Sequence, residues 1–232
     1  MRGSEITIPG PDGSFCGYLA RPQSGRGPGV VVLQEIFGVN AFVRETADWL
    51  ADNGYVALAP DLFWRIQHGV ELTDQSQDHW DRAFELFRQF DVEAGVRDIV
   101  AAIAVLRATP GCTGKVGAIG YCLGGLLAYL TAARTTSDAS VGYYGVSLQD
   151  RLAEAANISK PLVLHIADED AFTPPEARDA IVAGLAPNER VTLFRYPGED
   201  HAFARTGGEH FSPSSAALAN DRTLAFFRSA LG

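Results

Sequence analysis

"GAIGYCLGGLLAYL", residues 117–130, is the stretch whose reading decides the fold. An apolar β run stops at Gly120, the chain turns through Tyr121, Cys122 and Leu123, and a stretch of helical character follows. A cysteine at such a turn has two readings. Packed inward it is a small apolar filler; raised at the tip it is exposed beside the positive end of a helix dipole, which favours its thiolate. Gly120-Tyr121-Cys122-Leu123-Gly124 fits the nucleophile-elbow pattern with cysteine in place of serine. The glycines have a physical task there. A nucleophile held in a strained conformation on so sharp a turn leaves no room for bulky side chains two residues before or after it, and Gly120, Gly124 and Gly125 remove those collisions.

Working outward, short β-rich runs alternate with longer helical patterns. "EITIP" (5–9) and "SFCGYLA" (14–20) flank "GPDG" and read as a hairpin, because Pro-Asp-Gly favours a turn. The runs "GVVVLQEI" (29–36), "YVALAP" (55–60), "KVGAIG" (115–120), "SVGYYG" (140–145), "PLVLHIA" (161–167) and "VTLFRY" (191–196) are continuously apolar, as in strands buried on both faces. Between them, residues 41–54 read as a helix closed by Gly54. Residues 91–111 carry Val92, Val96, Ile99, Val100, Ile103 and Leu106 on one helical face. Helices also suit residues 123–134, 174–185 and 214–231. This alternation predicts an α/β fold with a mostly parallel central sheet, helices on both faces and an N-terminal antiparallel hairpin. No stretch reads as a linker, so a single domain over residues 1–232 is expected, large enough to bury roughly 70–75% of its unfolded surface.

Composition narrows the function. A formal net charge of −9 and a pI near 5.0, with no dense run of basic residues, argue against nucleic acid or an anionic membrane surface as partner. The N-terminus lacks an apolar stretch and no window is long enough to span a membrane, so a cytoplasmic protein is expected. Cys16, Cys112 and Cys122 are odd in number and lack CxxC spacing, which disfavours a disulfide framework and a zinc site. His68, His79 and His210 show no metal spacing, and His165, inside an apolar strand, reads as a core residue. No metal or organic cofactor is called for. The expected partner is a small-molecule substrate, and a monomer is compatible with the sequence.

In an α/β fold of this kind ligands lie beyond the carboxyl ends of the strands. After "PLVLHIA" come Asp168, Glu169 and Asp170, of which at least one can be a helix cap. After "VTLFRY" comes "PGEDHAFART", which places His201 beyond another strand end. Cys122, an acid and His201 follow one another in the chain order of α/β-hydrolase triads. Glu35 closes an otherwise apolar strand, where a carboxylate is costly unless paired; a salt bridge to an arginine such as Arg205 is one reading.

At this point the chain resembles the dienelactone hydrolases, or carboxymethylenebutenolidases, which are cysteine members of the α/β-hydrolase fold. The likeness runs through "QEIFGVNAFVRETADWLADNGYVALAPDL", "FDVEAGVRDI", "GKVGAIGYCLGG", "VGYYGV", "DAFTP" and "HAFART". It implies hydrolysis of small lactones or esters in the breakdown of aromatic compounds. It also implies Cys122 as nucleophile, His201 as general base and acid, and Asp170, rather than Asp168, as the residue that orients the imidazole. Glu35 would contact the resting thiol and take its proton when a carboxylated substrate arrives.

The chemistry follows. A thiol of ordinary pKa is only a few per cent thiolate at neutral pH, so a histidine partner and a helix N-terminus are needed to raise that fraction. The oxyanion formed on attack needs donors, which the elbow supplies as the Leu123 N–H and the loop after "GVVVLQEI" supplies from Ile36 or Phe37. The resemblance adds Tyr144 to the pocket and Arg205 as a carboxylate anchor. Where the family carries a second arginine this chain has Trp80, and Phe84 stands where a tyrosine is expected. Arg82 lies two positions on, about 200° around a helix, and cannot take over. Residues 63–80, polar with aromatic ends, suggest a partial lid. A thiol acyltransferase or esterase of other substrates, and a non-catalytic binding protein that kept the fold, are the alternatives.

Overall fold

A computed structural model describes residues 3–232. The chain runs β1 (Ser4–Gly10), β2 (Gly13–Ala20), β3 (Gly27–Leu33), α1 (Ala41–Asp52), β4 (Val56–Pro60), α2 (Gln77–Gln89), α3 (Val92–Ala108) and β5 (Cys112–Tyr121). It continues with α4 (Leu123–Arg134), β6 (Ala139–Tyr143), a 3-10 segment (Leu148–Asn157), β7 (Leu162–Ala167), α5 (Pro175–Leu185), β8 (Val191–Tyr196) and α6 (Pro213–Leu231). The eight strands form one sheet in the order β1-β2-β4-β3-β5-β6-β7-β8, mostly parallel with an antiparallel N-terminal pair. That is the predicted architecture. Among the described residues no helix is long and apolar enough to cross a membrane. The chain divides into two compact units, residues 1–118 and 119–232.

In the first unit the hairpin closes with Gly10 opposite Gly13, and β2 turns antiparallel onto β4. Helix α1 begins at Asn40, whose side chain accepts the Val43 N–H, and α3 at Asp91, whose side chain accepts those of Glu93 and Ala94. Each cap satisfies donors that the first helical turn leaves free. One boundary differs from the expectation: β3 ends at Leu33, so Glu35 lies in the loop beyond the strand, not in it. The ladder gives way there to side-chain ties, with Gln34 Oε1 accepting the Leu62 N–H at 3.0 Å.

Residues 63–80 are tied down from end to end within this unit. Trp64 stacks on Phe15 and donates to Asp98, Arg65 pairs with Asp98 and Asp12, and Arg44 pairs with Glu71. Gly38 bridges to Glu71, and the Leu72 N–H reaches the Phe37 carbonyl at 2.9 Å. The last four of these residues already belong to α2, which Ser76 caps.

In the second unit β6, β7 and β8 run parallel with Tyr143, His165 and Phe194 in register. Helix α4 is buried around almost its whole circumference, which accounts for its unbroken apolar sequence. His165 is the core residue expected: its ring nitrogens lie 2.8 Å from the Tyr196 hydroxyl and 3.0 Å from Thr223 Oγ1, and burial followed by the charge of Arg222 pushes its pKa down to about 3. Neutral, it satisfies both nitrogens without carrying a charge into the interior. The 3-10 segment had no counterpart in the sequence reading, because it buries only Leu148 and Ala155 and so lacks a recurring apolar face.

Candidate active site

The elbow is built as the glycines require. Cys122 joins β5 to α4 with φ 56° and ψ −114°, a left-handed backbone that costs a non-glycine residue about 1–3 kcal/mol. A Cβ on Gly120 would lie 1.9 Å from the Gly124 carbonyl oxygen, and one on Gly125 would lie 2.6 Å from that of Tyr143. The Cys122 N–H donates to the Tyr143 carbonyl at 3.1 Å, while its own carbonyl accepts the N–H groups of Gly125 and Leu126. Leu123 therefore opens α4, where the backbone N–H groups have no intrahelical acceptor and aim at whatever sits by the sulfur. In one respect the turn departs from the expectation: Cys122 is only 8% exposed, so its side chain is set into the fold instead of standing free at the tip.

The loop after β7 separates the three acids. Asp168 accepts the Arg195 Nε–H at 2.8 Å, and Glu169 is exposed. Asp170 is buried, with Oδ2 2.8 Å from His201 Nδ1 and Oδ1 accepting the Phe172 N–H at 2.8 Å. Both carboxylate oxygens are therefore engaged, and the imidazole is held by one of them. The sequence alone left these acids open until the resemblance chose Asp170.

His201, buried just beyond β8, has a side-chain hydrogen bond to Cys122 on its other side. The next residue, Ala202, has φ 63°, a second left-handed backbone at the site. Burial opposes charge on the ring, but the Cys122 sulfur and the Asp170 carboxylate outweigh it and push the His201 pKa up to about 10. The raised pKa favours a proton on the imidazole, which lies between Cys122 and Asp170. Because the folded pKa lies above the ordinary 6.5, this pairing stabilises the protein fully below that value and is lost as pH rises through about 10. The melting temperature is accordingly expected to fall between pH 7 and 10 in the native protein, and by less in Asp170→Asn, as differential scanning calorimetry across that range would register.

Tyr144 packs its ring edge-on to His201 with centroids 5.0 Å apart, whereas Tyr143 is core, its hydroxyl 2.6 Å from Thr223 Oγ1. Strand alternation is not what separates the two tyrosines. β6 ends at Tyr143, and Tyr144 turns away with φ 36°. Arg205 is buried in the turn that follows His201, its N–H on the Ala202 carbonyl at 2.9 Å. The sequence reading missed two residues here: Phe172, 49% exposed and edge-on to His201 with ring centroids 4.8 Å apart, and Arg178, whose guanidinium reaches the loop of Asp170. The only local sign of the first was its place two residues after the acid.

The candidates in the first unit form a set of their own. Glu35 is 1% exposed, and Ile36 and Phe37 beside it are buried. Phe37 meets Trp80 edge-on at 5.0 Å, and Trp80 stacks on Phe84 at 5.5 Å. Trp80 Nε1 donates to the Asp74 carbonyl. Arg82 pairs with Glu85 and Gln67. Among the described residues no group of three or more His, Cys, Asp or Glu side chains is placed to hold a metal ion.

This architecture is that of the α/β hydrolases: a Penicillium α/β hydrolase, GrgF, 14% identical, superposes with a TM-score of 0.75 over 100% of this chain and 99% of its own. The chain belongs to the dienelactone hydrolase family, whose sequence model matches residues 15–231. A carboxymethylenebutenolidase of Pseudomonas putida is 43% identical over 222 residues, covering 95% of this chain and 94% of that protein. A dienelactone hydrolase-type protein of Klebsiella pneumoniae, 27% identical, superposes with a TM-score of 0.86 over 97% of this chain and 98% of its own. The chain is thus a hydrolase of that family.

Proposed function

We propose that this protein hydrolyses small lactones or esters through a Cys122–His201–Asp170 triad acting within a single catalytic domain, with dienelactone among its substrates. The observation that carries the reading is the continuous chain of contacts from Cys122 through the buried His201 to Asp170, 2.8 Å from the imidazole. The thiolate attacks the carbonyl carbon and the C=O electrons move onto oxygen. Backbone N–H groups of Leu123 and of Ile36 or Phe37 receive that oxyanion. As the tetrahedral adduct collapses, the ester or lactone C–O bond breaks and the imidazolium gives its proton to the departing oxygen. The thioester left on Cys122 is then cut by a water whose proton His201 takes, releasing the acid and regenerating the thiolate. Following the family resemblance, the free enzyme carries this sulfur reprotonated as a thiol; Glu35 takes that proton when a carboxylated substrate arrives and returns it once the acid has left.

The test is a spectrophotometric comparison of dienelactone with simple aryl esters, with the products identified. Hydrolysis of a lactone to the open-chain acid is expected. Transfer of the acyl group to an added thiol or alcohol in preference to water would replace hydrolase by acyltransferase.

Substrate preference is proposed to follow from Trp80. Arg205 is taken to hold the substrate carboxylate without a second arginine, and a charge-assisted hydrogen bond is worth about 1.5–3 kcal/mol, or roughly one to two powers of ten. Dienelactone should therefore be favoured only weakly over neutral esters, with the Phe37, Trp80 and Phe84 ring cluster suiting apolar groups. Trp80→Arg is expected to raise kcat/KM for dienelactone about tenfold and leave a neutral aryl ester nearly unchanged. An unaltered ratio of the two efficiencies would show that Trp80 does not set the preference.

A further inference from the structure

Helix α5 carries a charge on its buried face. Ala177, Arg178, Ile181 and Leu185 are its buried residues, and Arg178 is only 7% exposed. An apolar side chain would serve packing better, since a buried guanidinium is costly unless its donors are used. Among the described residues Arg178 has no carboxylate partner; its Nη1 donates instead to two carbonyls, those of Asp170 at 3.1 Å and Thr173 at 2.5 Å. These are the two ends of one turn, because the Thr173 N–H also donates to the Asp170 carbonyl at 3.1 Å. Inside that turn the Phe172 N–H holds Asp170 Oδ1, which leaves Oδ2 facing His201 Nδ1. The aim of the carboxylate and the shape of the turn are therefore one variable, and Arg178 grips the turn from a helix.

We propose that Arg178 is a positioning residue for the reaction: by holding the carbonyls of Asp170 and Thr173 it fixes the turn that aims the Asp170 carboxylate at His201. The proposal rests on the triad reading above. Arginine suits the task because one Nη carries two N–H donors fixed in the guanidinium plane, one for each carbonyl. A small misplacement of a catalytic group can cost about a hundredfold in rate.

The test is a double-mutant cycle on the full chain, combining Arg178→Met with Asp170→Asn, with kcat, KM and the pH dependence of Cys122 alkylation measured for each variant. Arg178→Met is expected to lower kcat about 10- to 100-fold with KM within about twofold. It should also move the alkylation profile toward higher pH, as a poorly held Asp170 supports the imidazolium less. In the Asp170→Asn background the same substitution should cost no more than about twofold, because the carboxylate it serves is gone. Arg178→Lys, which keeps a charged donor, should recover part of the loss. Should Arg178→Met fail to fold, Arg178→Gln takes its place in the cycle with the same expectation. Wild-type kcat in the folded variant, or an equal loss with and without the Asp170 carboxylate, overturns the positioning role alone. Wild-type kcat in Asp170→Asn removes the triad reading, and this role with it.

Discussion

Asp170→Asn is expected to lower kcat by roughly 10³- to 10⁴-fold, while Asp168→Asn changes it by less than about threefold. The asparagine keeps the size of the side chain, but with its Oδ1 still on the Phe172 N–H it turns an NH2 group, not a carboxylate oxygen, toward His201 Nδ1. That favours the wrong tautomer and no longer supports the imidazolium that protonates the leaving group. The charge matters as well, since the Asp170 carboxylate helps to raise the His201 pKa. Asp168 is two residues away, yet its carboxylate is spent on Arg195, whose side chain is about half exposed. An exposed pair of that kind contributes about 0–1 kcal/mol to stability and has no path to the imidazole. Steady-state kinetics on the two purified variants separates them, and the reverse ranking would move the acid to Asp168.

The second large effect is expected at the elbow. Gly120→Ala places a methyl carbon 1.9 Å from the Gly124 carbonyl oxygen, and Gly125→Ala places one 2.6 Å from that of Tyr143 and 2.7 Å from Gly145 Cα. All of these are backbone atoms, so no rotamer change relieves the overlap. β5 and α4 must separate, or the turn must open. Overpacking of this kind costs about 1–3 kcal/mol or more, and it falls on the segment that orients Cys122. Activity should drop by at least a hundredfold in any Gly120→Ala protein that folds, with a melting temperature lower by several degrees. Calorimetry with activity measured on the folded fraction tests this; wild-type turnover in Gly120→Ala would show that the elbow tolerates the side chain.

Much of this architecture was legible because burial writes it into local pattern. The continuous apolar runs around Val30, Val116 and Val163 could only be strands covered on both faces, and the helix from Leu123 to Arg134 was placed to the residue. What local pattern cannot carry is the point at which a strand is abandoned for a side-chain tie. Gln34 looks like part of β3 until Leu62, far along the chain, claims its amide oxygen. Tyr144 looks like the next residue of β6 until its φ of 36° removes it from the ladder.

The site divides in the same way. As candidates, Cys122 and His201 stood out from a glycine spacing and a strand end. Asp170 needed the resemblance, because three neighbouring acids have the same local propensity and differ only in what reaches them through space. Arg178 was not legible at all: in "PEARDAIVAGL" it looks like an ordinary helix-surface charge, and only the fold turns it inward onto the loop of Asp170.

The central claim is that Cys122 is the nucleophile, and exposure alone argues against it. Cys16 and Cys112 are both more open to solvent than Cys122. Reactivity toward an alkylating agent should invert that order, because the thiolate reacts and the histidine beside Cys122 supports it. Burial, followed by the Glu5 carboxylate, instead pushes the Cys16 thiol up. The direct measurement is limited treatment of the native protein with iodoacetamide at neutral pH, with peptide mass mapping and residual activity followed on the same samples. Carbamidomethylation of Cys122 in step with the loss of activity, while Cys16 and Cys112 remain unmodified, is the result predicted. Activity that survives complete labelling of Cys122, or equal labelling of all three cysteines with activity lost only at the end, would contradict it.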